Sequence, residues 1–214
     1  MMSFCRQCLA IGFFAATSTI SAEPIRWEID ESHSTVQFAI TFNVMMEAVG
    51  DFGAFSGEIV FDPSAESGAA CGSVNAEIEV TSLTTGNQRR DDHLQAEDFF
   101  NTALHPLATF ASRTWEASEE PGQSVIVGDL TIMERTAPVT LKVLWNGIEK
   151  DRRGREVGHW VVTGTLDRRD WGIDSGTTIG NEVRLKFEIE AIAQEAEPTT
   201  DAPTAPEAMP SPST

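Results

Sequence analysis

Histidine, cysteine, serine and carboxylate side chains are the groups from which a chain builds chemistry, and here their spacing argues against it. The four histidines are His33, His93, His105 and His159, and none falls in HExxH or another short metal-ligand spacing. His33 reads as a turn residue, His105 precedes Pro106 at a loop end, and His159 lies early in a strand pattern. Only convergence of distant residues could build a metal site, and none is expected. Ser34, Ser56, Ser112 and Ser175 lack a GxSxG setting, and no GxGxxG or P-loop pattern occurs. With 33 acidic residues, carboxylate pairs carry no information. Asp91, Asp92 and Asp98 read as partners of Arg89 and Arg90. No residue is a candidate catalyst.

The aromatic residues say more. There are 12 Phe, 5 Trp and no Tyr. Phe38, Phe42, Phe55, Phe61, Phe110 and Phe187 fall on inward rows of alternating segments, and Trp145 and Trp160 belong to facing rows. Such rows either fill a core or line an apolar tunnel. Periodicity identifies an inward side chain without saying what it touches.

The elements that must position them are strands. In the last one Val183, Leu185, Phe187, Ile189 and Ala191 point one way and Arg184, Lys186, Glu188 and Glu190 the other. Similar alternation runs over Ile25–Ile29, Val36–Phe42, Phe55–Phe61, Val74–Val80, Ala108–Trp115, Ser124–Ile132, Val139–Trp145 and Val157–Leu166. That predicts about nine or ten strand segments, some of them halves of one bent strand. Asn146-Gly147 predicts a turn, and Gly53, Gly57, Gly128, Gly164 and Gly172 suit strong curvature. A closed antiparallel barrel follows, because closure removes the sheet edges. A porin-like barrel would need Glu77, Glu79, Arg184, Lys186, Glu188 and Glu190 inside, against the brevity of several strands.

One segment interrupts the sheet. Thr84 to Phe100 (TTGNQRRDDHLQAEDFF) is polar, lacks β-branched residues after Thr85, and predicts a short helical excursion. It would lay Leu94 and Phe99 or Phe100 over the sheet, with Arg89, Arg90, Asp91 and His93 at a mouth or in a brace.

Both ends differ from the domain. Residues 1–22 combine Arg6, the apolar run Leu9–Ala16 and a small-residue end at Ala22, which reads as a signal peptide. Cleavage removes Cys5 and Cys8 and leaves Cys71 with no internal disulfide partner. Residues 195–214 (EAEPTTDAPTAPEAMPSPST) read as a disordered acidic, proline-rich tail. Residues 23–194 then form one domain. The net charge of −18, which becomes −19 without Arg6, disfavours nucleic acid and anionic membrane surfaces as partners. The apolar run is far below the roughly 20 residues of a membrane-spanning helix.

Six blocks carry a family resemblance. They are Trp27–Phe38 (WEIDESHSTVQF), Gly53–Phe61 (GAFSGEIVF), Asn87–Phe100 (NQRRDDHLQAEDFF), Pro106–Phe110 (PLATF), Gly128–Leu141 (GDLTIMERTAPVTL) and Asp167–Ile173 (DRRDWGI). In this order they resemble the YceI-like family of bacterial exported proteins, over roughly Ile25 to Ala193. The resemblance implies an all-β, lipocalin-like antiparallel barrel whose apolar tunnel holds a polyisoprenoid, isoprenoid quinone or fatty-acid-like molecule non-covalently. It implies a periplasmic or secreted binding protein with no enzymatic activity; a monomer or homodimer with no cofactor and no metal is expected. A non-carrier interaction or stress-protective module and an enzyme acting on a lipid are the alternatives. The chain departs from the family pattern at Phe42–Val49 (FNVMMEAV) and at Met133, and Met45, Met46 and Met133 are expected to soften a cavity wall.

Overall fold

Alternating apolar residues force strands to share one dry face, and in a sheet this large the dry face is buried by curling the sheet onto itself. The structure, a computed structural model, describes residues 24–43, 45–62 and 72–194. The expected signal peptide, Cys71 and the C-terminal tail lie outside them. Eleven strands occur among the described residues. They are β1 (Ile25–Ile29), β2 (Thr35–Phe42), β3 (Met46–Phe52), β4 (Phe55–Phe61), β5 (Gly72–Glu79), β6 (Leu83–Thr84), β7 (Leu107–Ala117), β8 (Gln123–Ile132), β9 (Arg135–Lys150), β10 (Glu156–Asp167) and β11 (Ile179–Ala193). The helix α1 (Gln88–Leu94) lies between β6 and β7.

The ladder runs β1-β4-β5-β7-β8-β9-β10-β11, and β11 pairs back onto β1. That closes an eight-stranded antiparallel barrel. β11 is shared: its end pairs with β1 (Trp27 opposite Ala193), and the rest pairs with β2 (Phe38 opposite Leu185). β1 and β2 are thus two halves of one broken edge, parted by a 3-10 turn at Glu31–His33. β2 continues to β3 and the two-residue β6, so the sheet forks on that side. Outside, Arg184, Lys186 and Glu188 are exposed, which is the reverse of a porin-type wall. No helix among the described residues is long and apolar enough to cross a membrane.

Two aromatic clusters fill parts of the interior. One holds Trp27, Phe61, Trp115 and Trp160 with Ile59, Ile126, Leu141, Val143 and Ala191, and Trp145 packs against it. Phe61 stacks on Trp115 with centroids 5.4 Å apart, and other rings meet edge to face or tilted, with centroids 5.6 Å apart for Trp27–Trp160, 5.0 Å for Phe61–Trp145 and 4.6 Å for Trp145–Trp160. The Trp115 Nε1–H donates to Ser124 Oγ at 2.8 Å. The second cluster gathers Phe99, Val139, Trp171 and Ile173, and the Trp171 Nε1–H donates to the Leu130 carbonyl at 2.9 Å.

Three expectations need correction. Asn146-Gly147 is no turn: β9 runs through it, His159 faces Gly147 and Trp160 faces Trp145, so Asn146 is the extra residue of a bulge. Gly147 has φ +106, which explains the glycine. The chain instead reverses at residues 151–155, where the Asp151 carboxylate accepts from the backbone N–H groups of Arg153 and Arg155 and from the Arg155 side chain. Second, Met46–Phe52 is a strand where none was expected. Its inward row is largely small, and at Gly50 a Cβ would fall on the ring of Phe38, the residue directly opposite. Third, Gly57, Gly128 and Gly164 lie within strands, but Gly53 joins β3 to β4 and Gly172 caps the Arg168–Trp171 turn with φ +76.

Trp27 has no solvent exposure and contacts both Trp145 and Trp160. Trp27→Ala should lower the unfolding free energy by about 3–5 kcal/mol, as large aromatic truncations in packed cores do. Urea unfolding followed by tryptophan fluorescence measures it.

Candidate functional site: an apolar cavity in the barrel

Between the two clusters the inward side chains leave a cavity of about 590 Å³. That is within the range of roughly 300–1,000 Å³ typical of small-molecule sites. Each wall strand contributes alternate residues, for example Val36, Phe38 and Ile40 from β2 or Val183, Leu185 and Phe187 from β11. Trp160 belongs to the wall and to the aromatic cluster alike, and its Nε1 is buried with no hydrogen-bond partner.

Of the residues singled out in the sequence, Phe38, Phe42, Phe55, Phe110, Trp160 and Phe187 line this cavity. Phe61 and Trp145 do not: Phe61 is a member of the packed aromatic cluster, and Trp145 packs against it. Met133 does not either. It sits in the β8–β9 turn with φ +47 and packs against the second cluster. Met45 and Met46 are not wall residues but are 92% and 57% exposed around the β2–β3 hairpin tip.

The excursion supplies much of the polar border. Arg89, Arg90, His93, Leu94, Phe99 and Phe100 line the cavity, together with Thr85 and Asn87. Asn87 starts α1 by accepting the Arg90 backbone N–H on its Oδ1 at 3.2 Å. Asp91 is turned away from the cavity and buried. Its carboxylate accepts from the Thr85 N–H at 2.9 Å and from the hydroxyls of Thr84 and Thr85. The expected arginine partnership of the acids is therefore wrong in detail. Arg90 instead donates to the Thr85 hydroxyl at 2.7 Å and the Thr85 carbonyl at 2.9 Å, and Asp98 pairs with His93 at 3.0 Å. Short threonines next to the helix win because they reach Asp91 with no loss of long-chain entropy.

Arg168 is the wall residue that sequence pattern missed, since nothing in its spacing separates it from Arg169. It is 5% exposed, and its guanidinium donates to the carbonyls of Gly180 (2.8 Å), Ile173 (2.7 Å), Ser175 (2.7 Å) and Ile179 (3.3 Å). Burial pulls it below its ordinary pKa, while Asp167 and Asp174 oppose that. It ties down the β10–β11 connection beside the cavity. Trp171, Gln37, Ile40, Val162 and Leu185 also line the cavity and were missed.

A closed barrel with an apolar lumen and a polar border is a barrel that can bind a hydrophobic ligand. Residues 27–191 match the YceI-like domain. Protein YceI of Escherichia coli is 33% identical over 186 residues, covering 85% of this chain and 92% of that protein. A UPF0312 protein of Staphylococcus epidermidis is 30% identical over 174 residues, covering 78% and 95%. The chain belongs to the YceI-like family. Among solved structures, BcnA of Burkholderia cenocepacia has the same fold, with a TM-score of 0.65 at 24% identity over 76% of this chain and 98% of that one. So does a polyisoprenoid-binding domain of Saccharophagus degradans, with a TM-score of 0.59 at 14% identity over 79% and 99%.

Two outcomes follow from this geometry. Asp91→Ala strands the Thr85 N–H and should cost about 1–3 kcal/mol. It should also speed limited proteolysis between α1 and β7, read by mass spectrometry of the fragments. Asp167 has its pKa lowered to about 2, chiefly by the hydrogen bond from the Arg169 side chain. A depressed carboxyl stabilises the fold above its ordinary value of 3.8 and ceases to do so as pH falls through about 2. The melting difference between wild type and Asp167→Asn should therefore shrink from pH 4 to pH 2, on the order of the window between those two values.

Proposed function

We propose that this protein is an exported carrier that holds a polyisoprenoid, isoprenoid quinone or fatty-acid-like molecule in its barrel for transport, storage or stress response. The observation that carries the reading is the cavity itself: inward aromatic rows that could have packed together leave about 590 Å³ of apolar space. Export rests on the signal-like residues 1–22, which would place the mature protein in the periplasm or outside the cell. The polyisoprenoid-binding domain of Saccharophagus degradans supports the ligand class.

The mechanism is binding without chemistry. Each CH₂ that leaves water for the lumen gains about 0.8 kcal/mol, and roughly ten such groups outweigh typical association costs when the cavity is preformed. Phe38, Phe42, Phe55, Phe110, Trp160 and Phe187 would contact the chain. Arg89, Arg90 and His93 on the excursion would border its head group, with Phe99 and Phe100 covering the apolar part. A filled interior would have favoured the interaction-module reading.

Organic extracts of gently purified protein, analysed by mass spectrometry, should contain a stoichiometric long-chain lipid. Val162→Trp, which fills the lumen, should abolish its recovery, while the outward change Val49→Trp should not. Repeated recovery of no lipid from the wild type, with no binding of prenyl or acyl probes, would overturn the reading.

A further inference from the structure

On the outside of the barrel, three potential metal ligands from two separate elements converge, and a histidine from a third lies beside them. Asp30 and His33 belong to the 3-10 turn between β1 and β2, Glu190 to β11, and His159 to β10. His33 Nδ1 lies 3.0 Å from Asp30 Oδ2 and 3.7 Å from Glu190 Oε1, and one ligand atom from each of these three residues falls within 4.8 Å of the others. His159 is the register partner of Glu190, and its Nδ1 lies 3.9 Å from Glu190 Oε2. Its Nε2 is buried and makes no hydrogen bond, although the Glu149 carboxylate is 3.4 Å away.

We infer that Asp30, His33 and Glu190 form a binding site for a divalent first-row transition-metal ion such as Zn²⁺, with His159 beside Glu190. Zinc binds imidazole nitrogen and carboxylate oxygen at about 2.0–2.2 Å, which sets neighbouring ligand atoms roughly 3–4 Å apart. The two measured separations at His33 already fall there. Mixed imidazole and carboxylate donors select zinc and its neighbours over calcium or magnesium, which favour all-oxygen sets. The frame is preorganised. The Asp30 N–H donates to the Glu190 carbonyl at 2.8 Å, the Ser34 hydroxyl donates to the same carbonyl at 3.1 Å, and the Glu190 N–H donates to Ser34 Oγ at 2.9 Å. These bonds use backbone atoms of Glu190 and leave its carboxylate free to ligate. The Asp30 and Glu190 carboxylates favour a cation at His33, and the Arg155 guanidinium opposes it. A bound ion would join the turn to β11, and so fasten the place where the broken edge of the barrel is held.

The test uses the untagged chain, stripped of metal with a chelator, and Zn²⁺ alone as the probe. Isothermal titration should show one saturable site per chain, and Co²⁺ should give the visible absorption of a nitrogen- and oxygen-ligated ion. His33→Ala and Glu190→Gln should each weaken binding by more than about 100-fold, beyond the loss of an outer-shell partner. His105→Ala should leave it unchanged. Absence of saturable binding, or binding that survives His33→Ala, would overturn the inference. Should a variant misfold, an anomalous-scattering peak from Zn²⁺ in wild-type crystals decides instead. A peak between Asp30, His33 and Glu190 supports the site, and peaks only elsewhere refute it.

Discussion

The antiparallel pairing of β1 with the end of β11 is what makes this sheet a container. Only three residue pairs form it, from Trp27 opposite Ala193 to Ile29 opposite Ala191. Without it the sheet would have a free edge at β1 and an apolar face open to water. With it, every inward row is committed to one shared interior. Trp27 sits in that ladder and is wholly buried among Trp145 and Trp160, so closure and packing reinforce each other at one place.

Closure also explains why the interior is partly solid and partly hollow. Around the β1–β11 contact the large rings reach across and touch. Farther along, β11 pairs with β2 instead of β1, β2 continues to β3, and the sheet forks. There the inward side chains leave the lumen open. Space remains between the aromatic cluster and the one around Trp171. The helical excursion lies along that space, with Leu94, Phe99 and Phe100 toward it and Asp91 fastened to Thr84 and Thr85 behind. The same broken edge that opens the fork creates the turn carrying Asp30 and His33 on the outside. The hollow and the outer ligand cluster therefore come from one interruption in one strand.

Much of this was legible in the residues, and the failures have specific causes. The long strands read clearly because β-branched and aromatic residues alternate with charged ones, as in Val183–Ala191. β3 was silent because its inner row holds Ala48 and Gly50, whose small size answers a ring on the neighbouring strand. Asn146-Gly147 carried a true signal for positive φ but met it with a bulge in place of a turn. Six of the nine expected wall residues line the cavity. Phe61 and Trp145 are equally inward but lie at the packed level, a distinction that alternation cannot encode.

By itself, then, the chain determined which side of each strand is dry, where the helical excursion interrupts the sheet, and the family to which it belongs. The first two are local properties, set by side-chain period and turn chemistry over a few residues, and the family rests on the resemblance of six sequence blocks. Tertiary structure alone decided that the lumen is hollow, that Arg168 is buried against four carbonyls, and that Asp30, His33 and Glu190 meet. Each of those depends on register between strands far apart in sequence, and register is settled only when the sheet closes on itself.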